Sequence, residues 1–417
     1  MTSAATSPTP GVGASIAAHR RVAGLTQVDL AARIGKSVQW VSAVEQGRKH
    51  AERLTDLVNI ATVLGCTLDD LIGRPVDSLT SGTRRAPQAE AVAAVRAVIM
   101  RAAVPDTEPR DVPELADVST RVGEAWSIWH GSPVAHSTLG RLLPSLLDDS
   151  IAAYRRAADR RRAARPLAGA YQITRQWLHH IPDGELAWIA ADRAMSAARE
   201  ADDPHLIALG AWALSASYRR AGQQDEATRL CLAAADELKA RMDAPDRGAG
   251  IDPHPRLLAD YGMLHLAAAV SSAQADDDNR AWALHRVADE AARAIGQTYD
   301  GWTAFGRGNV DIHGLALSAE LGRADAVVEY SARLHIDDVP SVERRTAALI
   351  NTARGYVRRG EDEAAALMLM DAEKISQEEV HDSTLVRELL RELLYRDHAR
   401  ARPYVRQLAQ RAGLIAV

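Results

Sequence analysis

The sequence predicts an all-α protein: a small five-helix head followed by a long stack of helix pairs. Three observations carry this expectation. Aromatic residues make up 4% of the chain and Phe occurs once, while Ala, Leu, Arg and Glu abound, so strand formers are scarce. Apolar residues recur at spacings of three and four, and no long apolar–polar alternation is visible. At 417 residues the chain exceeds what one compact core serves, so two domains or a repeat array are required.

The bulk numbers exclude more than they assign. With 25% charged and 47% hydrophobic residues the composition is that of an ordinary globular protein. The net charge is −5, but it is unevenly spread: up to Arg74 there are 8 Lys and Arg against 6 Asp and Glu, which leaves +2 there and −7 beyond. That balance is compatible with phosphate contact without demanding it. Cys66 and Cys231 lie far apart in no metal-ligand spacing, and reduced buried thiols in a cytosolic setting are expected. The opening MTSAATSPTPGVG lacks a basic start and an apolar core, so residues 1–12 read as a flexible tail and not as a leader. No apolar run approaches membrane-spanning length, so no membrane partner and a cytoplasmic location are expected.

The head occupies 13–73. Its first helix runs from Ser15 to Ala23 and stops at Gly24. Thr26 caps the second, with Asp29 three residues on, close to a capping box, and Val28, Leu30, Ala31 and Ile34 on its apolar side. Gly35 ends that helix. Ser37 caps the third, where Val38, Val41 and Val44 recur in steps of three until Gly47. A fourth covers 54–64, and TLDDLIG supplies a last short turn. Two helices joined by a Gly-containing turn, with small Ala31 where they cross, form a helix-turn-helix arrangement. Val41 and Val44 point inward, which leaves Ser37, Gln39, Ser42 and Ala43 outward, with Val38 at the leading end.

The stretch LTQVDLAARIGKSVQWVSAVEQGRK resembles the phage-repressor (XRE) family in Leu25, Thr26, Gln27, Leu30, Ala31, Gly35, Ser37, Ser42, Glu45, Gly47 and Arg48. The following LVNIATVLGCTLDDLI resembles that family's fourth and fifth helices. The resemblance implies binding to double-stranded DNA, with Gln27 on a phosphate and Gln39 on a base edge, where an amide can bond adenine twice. It implies that Val38 and Ala43 occupy reading positions limited to a thymine methyl, and that Arg48 and Lys49 contact the backbone. Trp40 departs from the small polar residue usual there, and either its indole N–H reaches a phosphate or its ring packs on the first helix. Arg20 and Glu45 match a pair that bridges the first and third helices. One such head makes few phosphate contacts, so a homodimer on a two-fold site is expected. IGKS imitates the end of a phosphate-binding loop, but the earlier glycine that loop needs is Leu30 here, and the nucleotide reading fails.

RPVDSLTSGTRRAPQ, 74–88, reads as a linker. From 89 to 417, helix follows helix; the early ones are expected over 88–104, 113–130, 137–164 and 166–181. Two pairs repeat: Tyr218, Gly222, Ala227, Ala234 and Tyr356, Gly360, Ala365, Ala372 share one set of offsets. This pattern resembles the tetratricopeptide repeat, so an α-solenoid is expected, with a degenerate pair at Gly322 and Ala326 and a loop at 243–255. In such a stack the first helix of each pair lines a concave wall. Helical phase nominates Trp212, Arg219, Asn309, Arg354 and Arg358 as wall residues and, less directly, Gln172, Gln176, Tyr261 and His265. The same positions also suit core packing and solvated cations. The basic run YRRAADRRRAAR (154–165) places Arg nearly all round its helix, a solvated pattern.

No catalytic constellation or glycine fingerprint is visible, and His179–His180 has no acidic or cysteine companion at ligand spacing. No enzyme, cofactor or metal is therefore expected. The combination looks like the peptide-pheromone-sensing regulators of Gram-positive bacteria and related actinobacterial proteins. It implies a transcriptional regulator whose repeat domain binds a peptide or small-molecule effector, sets the dimer, or both. A protein-interaction scaffold or antitoxin-like adaptor remains the alternative.

Overall fold

A computed structural model describes residues 12–49, 54–66, 71, 85–104, 111–181, 184–243, 255–296 and 301–415. Every regular element among them is helical. The chain divides into two compact units, one reaching to Thr83 together with Arg220–Gly222, the other made of Arg84–Arg219 and Gln223–Val417.

The first unit contains α1 (Val12–Val22), α2 (Gln27–Ile34), α3 (Val38–Glu45) and α4 (Leu54–Leu64). Its chain is punctuated by glycine: Gly24, Gly35, Gly47 and Gly65 all take positive φ of 65–69° where a helix has just ended. A side chain with Cβ meets its own carbonyl there, so glycine makes each sharp exit cheap. Thr26 and Asp29 complete a full capping box at the start of α2: the Asp29 N–H donates to Thr26 Oγ1, and the Thr26 N–H donates to Asp29 Oδ2. The Trp40 N–H likewise donates to Ser37 Oγ, which opens α3. Ile16, Leu30, Val41, Val44, Ile60 and Leu71 form the centre of a single small core. Of the expected fifth helix, only Leu71 lies within the described residues, and it is buried in that core.

The second unit begins with α5 (Arg85–Arg101), whose first turn takes up the end of the segment expected as linker. Then follow α6 (Leu115–Gly131), α7 (Ala135–Arg156), α8 (Arg160–His179) and α9 (Gly184–Ala201). The single helix expected over 137–164 is two helices. Asp159 accepts a hydrogen bond from the Arg162 N–H at 2.9 Å and starts α8, so the break falls before Pro166 and that proline lies within the helix. The series continues with α10 (Pro204–Arg220), α11 (Gln224–Met242), α12 (Pro255–Gln274) and α13 (Asp278–Ile295). The last members are α14 (Arg307–Glu320), α15 (Ala324–Arg333), α16 (Val342–Arg359), α17 (Asp362–Ile375), α18 (Gln377–His381), α19 (Thr384–Arg396) and α20 (Arg402–Arg411).

Many neighbours in sequence pack against one another, and three corners between successive helices share one construction. Gly222, Gly322 and Gly360 sit at positive φ between the helices of their pairs, and Ala227 and Ala365 just beyond are fully buried. Small residues let the paired helices approach. At Gly355 an added Cβ would lie 2.5 Å from Val327, so α15 and α16 touch there without room for a methyl.

The later helices also return to the earlier ones. Ser376 Oγ donates to the Pro133 carbonyl at 2.9 Å, and Glu378 Oε2 accepts the N–H groups of His136 and Ser137. Nearby, His130 Nδ1 lies 3.1 Å from Ser341 Oγ, and the rings of Trp126 and Trp302 stack at 5.3 Å. These contacts make a seam within the second unit, where α17 and α18 close onto the start of α7.

Candidate nucleic-acid interface

The outward edge of α3 is assembled by what anchors its inward edge. Trp40, Val41 and Val44 are buried against α1, α2 and α4, so the helix cannot rotate about its axis. Rotation fixed in this way leaves Val38 38% exposed and Gln39 exposed beside it, with Ser37, Ser42 and Ala43 half-exposed along the same edge. Among the described residues nothing hydrogen-bonds the Gln39 amide, which is turned to solvent. At the far end, Arg48 Nε donates to Gln46 Oε1 at 2.9 Å and Gln46 Nε2 donates to Ser42 Oγ at 3.1 Å. This chain of polar groups continues the edge past the helix end.

Position and tilt are set by Arg20 and Glu45. Arg20 Nε donates to Glu45 Oε1 at 2.6 Å and Nη2 to Oε2 at 2.9 Å, a planar two-point contact between α1 and α3. Arg20 Nη1 also donates to the Leu25 carbonyl at 2.7 Å, so the guanidinium holds the turn between α1 and α2 as well. Burial pushes the Glu45 carboxyl upward. The hydrogen bonds from Arg20 and Gln27 and the Arg20 charge outweigh burial and hold it below the ordinary range. The Glu45 hydrogen bond in turn raises Arg20.

Three positions of the expected interface are held by the protein itself. Trp40 is 4% exposed and packs among Leu30, Val41 and Ile60, with the Lys36 ammonium 5.1 Å from its ring. Its indole belongs to the core, because α3 is too short to bury Val41 and Val44 without also burying the residue between its first and second turns. Lys49 is 7% exposed, folded back behind the Gly47 turn, and its expected backbone contact does not follow from this placement. Gln27 stands at the start of α2, but its Nε2 donates to Glu45 Oε2 at 2.8 Å. The same carboxylate therefore orients both Arg20 and the Gln27 amide.

A Helix-turn-helix domain family matches residues 12–72, the span that holds this whole arrangement. An uncharacterized HTH-type transcriptional regulator, y4dJ, of Sinorhizobium fredii is 40% identical over 73 residues, 18% of this chain and 92% of that protein. The chain belongs to the helix-turn-helix family. The family match ends at residue 72 and the relative's match spans 18% of the chain, so most of the chain lies outside both. No solved structure matches the chain.

In the second unit of this helix-turn-helix protein, the expected wall residues are mostly engaged by the protein itself. Asn309 is fully buried, and its Nδ2 donates to the Thr303 carbonyl at 3.4 Å. Arg354 is 2% exposed and lies 3.2 Å from Glu320 Oε1. Arg358 Nη1 donates to the Ala319 carbonyl. His265 is buried, with Nδ1 2.8 Å from the Tyr261 carbonyl and its ring against that of Tyr261. Arg219 Nη1 donates to Ser215 Oγ at 3.1 Å. Trp212 is half-buried, and the guanidinium of buried Arg175 lies 5.3 Å from its ring. Gln176 accepts from Arg175 at 2.9 Å, and Gln172 Nε2 donates to the Leu209 carbonyl.

Local spacing missed one cluster. His180 lies near Glu379, and so does His136, 243 positions away from that carboxylate in sequence. Only the seam brings them together. No helix among the described residues is long and apolar enough to cross a membrane.

Proposed function

We propose that this protein is a DNA-binding transcriptional regulator that reads an operator with the exposed edge of α3. One observation carries this reading: Val38, Gln39 and Arg48 stand exposed on a helix whose rotation is fixed by a buried core and whose tilt is fixed by Arg20–Glu45. In the reading, Gln39 bonds a base edge and Arg48 a phosphate, with Ser37, Ser42 and Ala43 completing the contact. The name of the Sinorhizobium fredii relative supports the same role. One head supplies few ionic contacts, so the working form is a homodimer on two half-sites.

The second unit, read as a tetratricopeptide-like array, is the sensor. Its repeated Gly corners and buried Ala residues support that reading. Asn309 Oδ1 and Gln172 Oε1 are buried acceptors without a hydrogen-bond donor among the described residues. The Gln172 acceptor lies on the helix of Arg175, whose guanidinium faces Trp212, and these three suit a peptide or small molecule that brings its own N–H groups. The effector acts by binding one arrangement of the dimer better than another.

The test is retardation of the protein's own promoter fragment over a range of salt. Binding should fall steeply with salt. Arg48→Ala should weaken it on all sequences and flatten the salt dependence by about one unit of slope. Gln39→Ala should cost about 1–3 kcal/mol at one base pair and spare binding to other sequences. Salt-insensitive retention, or equal effects of both substitutions on all sequences, contradicts the proposal.

A further inference from the structure

The fold brings together three residues that lie far apart in sequence. His136 sits in the first turn of α7, His180 at the C-terminal cap of α8, and Glu379 in α18. His136 Nε2 is 3.0 Å from Glu379 Oε1, and His180 Nδ1 is 3.6 Å from Glu379 Oε2. One donor atom from each residue falls within 4.8 Å of the other two. A zinc ion with donors at about 2.0–2.1 Å sets tetrahedral donors about 3.3 Å apart, so small side-chain shifts suffice. The three residues border a cleft of about 270 Å³ that also reaches His179 and Asn351.

The surroundings hold the cluster in place. The His136 ring stacks on Trp129 at 5.5 Å and 9°, and the His180 ring tilts against the same Trp129 at 5.2 Å. The neighbouring carboxylates are occupied elsewhere: Glu378 accepts the first N–H groups of α7, and Glu343 pairs with Arg344. Asp382 also lines the cleft, but Glu379 is the carboxylate whose oxygens approach both imidazoles.

A plain buried ion pair accounts for His136 and Glu379 but not for His180. The His180 imidazole makes no hydrogen bond with any described residue, since 3.6 Å lies beyond that range and its Nε2 is buried without a partner. A buried ring nitrogen is rarely left so. Two imidazole nitrogens and one carboxylate oxygen at the edge of an open cleft are instead a three-donor set with room for water as a fourth. We infer that His136, His180 and Glu379 bind a divalent transition-metal cation of the zinc class. The ion joins α7 and α8 to α18 across the seam. This inference stands apart from the DNA-binding reading, because it concerns the second unit alone.

The experiment uses the full chain, stripped with a chelator that is then removed, and titrated calorimetrically with zinc alone. One zinc per chain should bind with a Kd of about 1 µM or tighter, and the thermal midpoint should rise. His180→Ala and Glu379→Gln should each weaken binding about 100-fold or more. Wild-type affinity in both variants, or no binding by the wild type below about 100 µM, overturns the inference. If the variants do not fold by circular dichroism, zinc-edge X-ray absorption of the wild-type complex decides. Two imidazoles in a nitrogen and oxygen shell support the site; a sulfur ligand or absent imidazole scattering overturns it.

Discussion

Arg20 and Glu45 meet through two parallel hydrogen bonds of 2.6 and 2.9 Å, and both side chains are nearly withdrawn from water. A pair buried in this way costs most when only one partner is removed, because the other charge is then stranded. Arg20→Met should therefore destabilise the first unit by about 3 kcal/mol in denaturant unfolding. The margin of a small domain is only a few kcal/mol. DNA retention should fall with the folded fraction.

Acid should act through the same pair. Glu45 is held below its ordinary value of 4.5 in the folded protein. A carboxylate lowered on folding stabilises above its unfolded pKa, and that contribution disappears as pH drops through the folded pKa. The stability gap between wild type and Glu45→Gln should thus be full near neutrality and shrink below pH 4.5. A gap that widens in acid would contradict the assignment.

Trp40 separates a packing role from a phosphate contact. Trp40→Phe keeps most of the apolar volume and removes the indole N–H. Unfolding should show a loss of about 1 kcal/mol, while DNA affinity of the folded protein stays within a factor of about two. A loss of affinity at unchanged stability would restore the phosphate contact.

Two glycines of the second unit should respond in opposite senses to alanine. Gly355→Ala forces a methyl into Val327, 2.5 Å away, and should cost about 1–3 kcal/mol. Gly123 lies inside α6 with nothing within 4 Å of an added Cβ, so Gly123→Ala should stabilise by about 0.4–1 kcal/mol. Thermal unfolding of both variants checks the pair.

What the sequence made legible was local. Thr26 with Asp29, Ser37, and the glycines at 24, 35 and 47 mark helix ends through hydrogen bonds and backbone angles that involve only near neighbours. The limits 54–64 of α4 follow from its apolar spacing in the same way. The start of α8 was also available, in Asp159 placed three residues before Arg162, but the arginine-rich run around it hides the cap. Burial of Lys49 was not legible, and Trp40 stayed between a phosphate contact and packing, since both depend on how far a two-turn helix sinks between three others. His180 has its carboxylate nearly two hundred residues on, a proximity that spacing along the chain cannot encode.

The seam from Pro133–Ser137 to Ser376–Glu379 has a mechanical consequence. An open stack of helix pairs bends like a coil spring, each joint yielding a little at small energy. Here, hydrogen bonds tie late helices to early ones and brace the second unit across that seam. Bending the unit there first has to part those bonds, so a deformation at the seam would involve its early and late helices together.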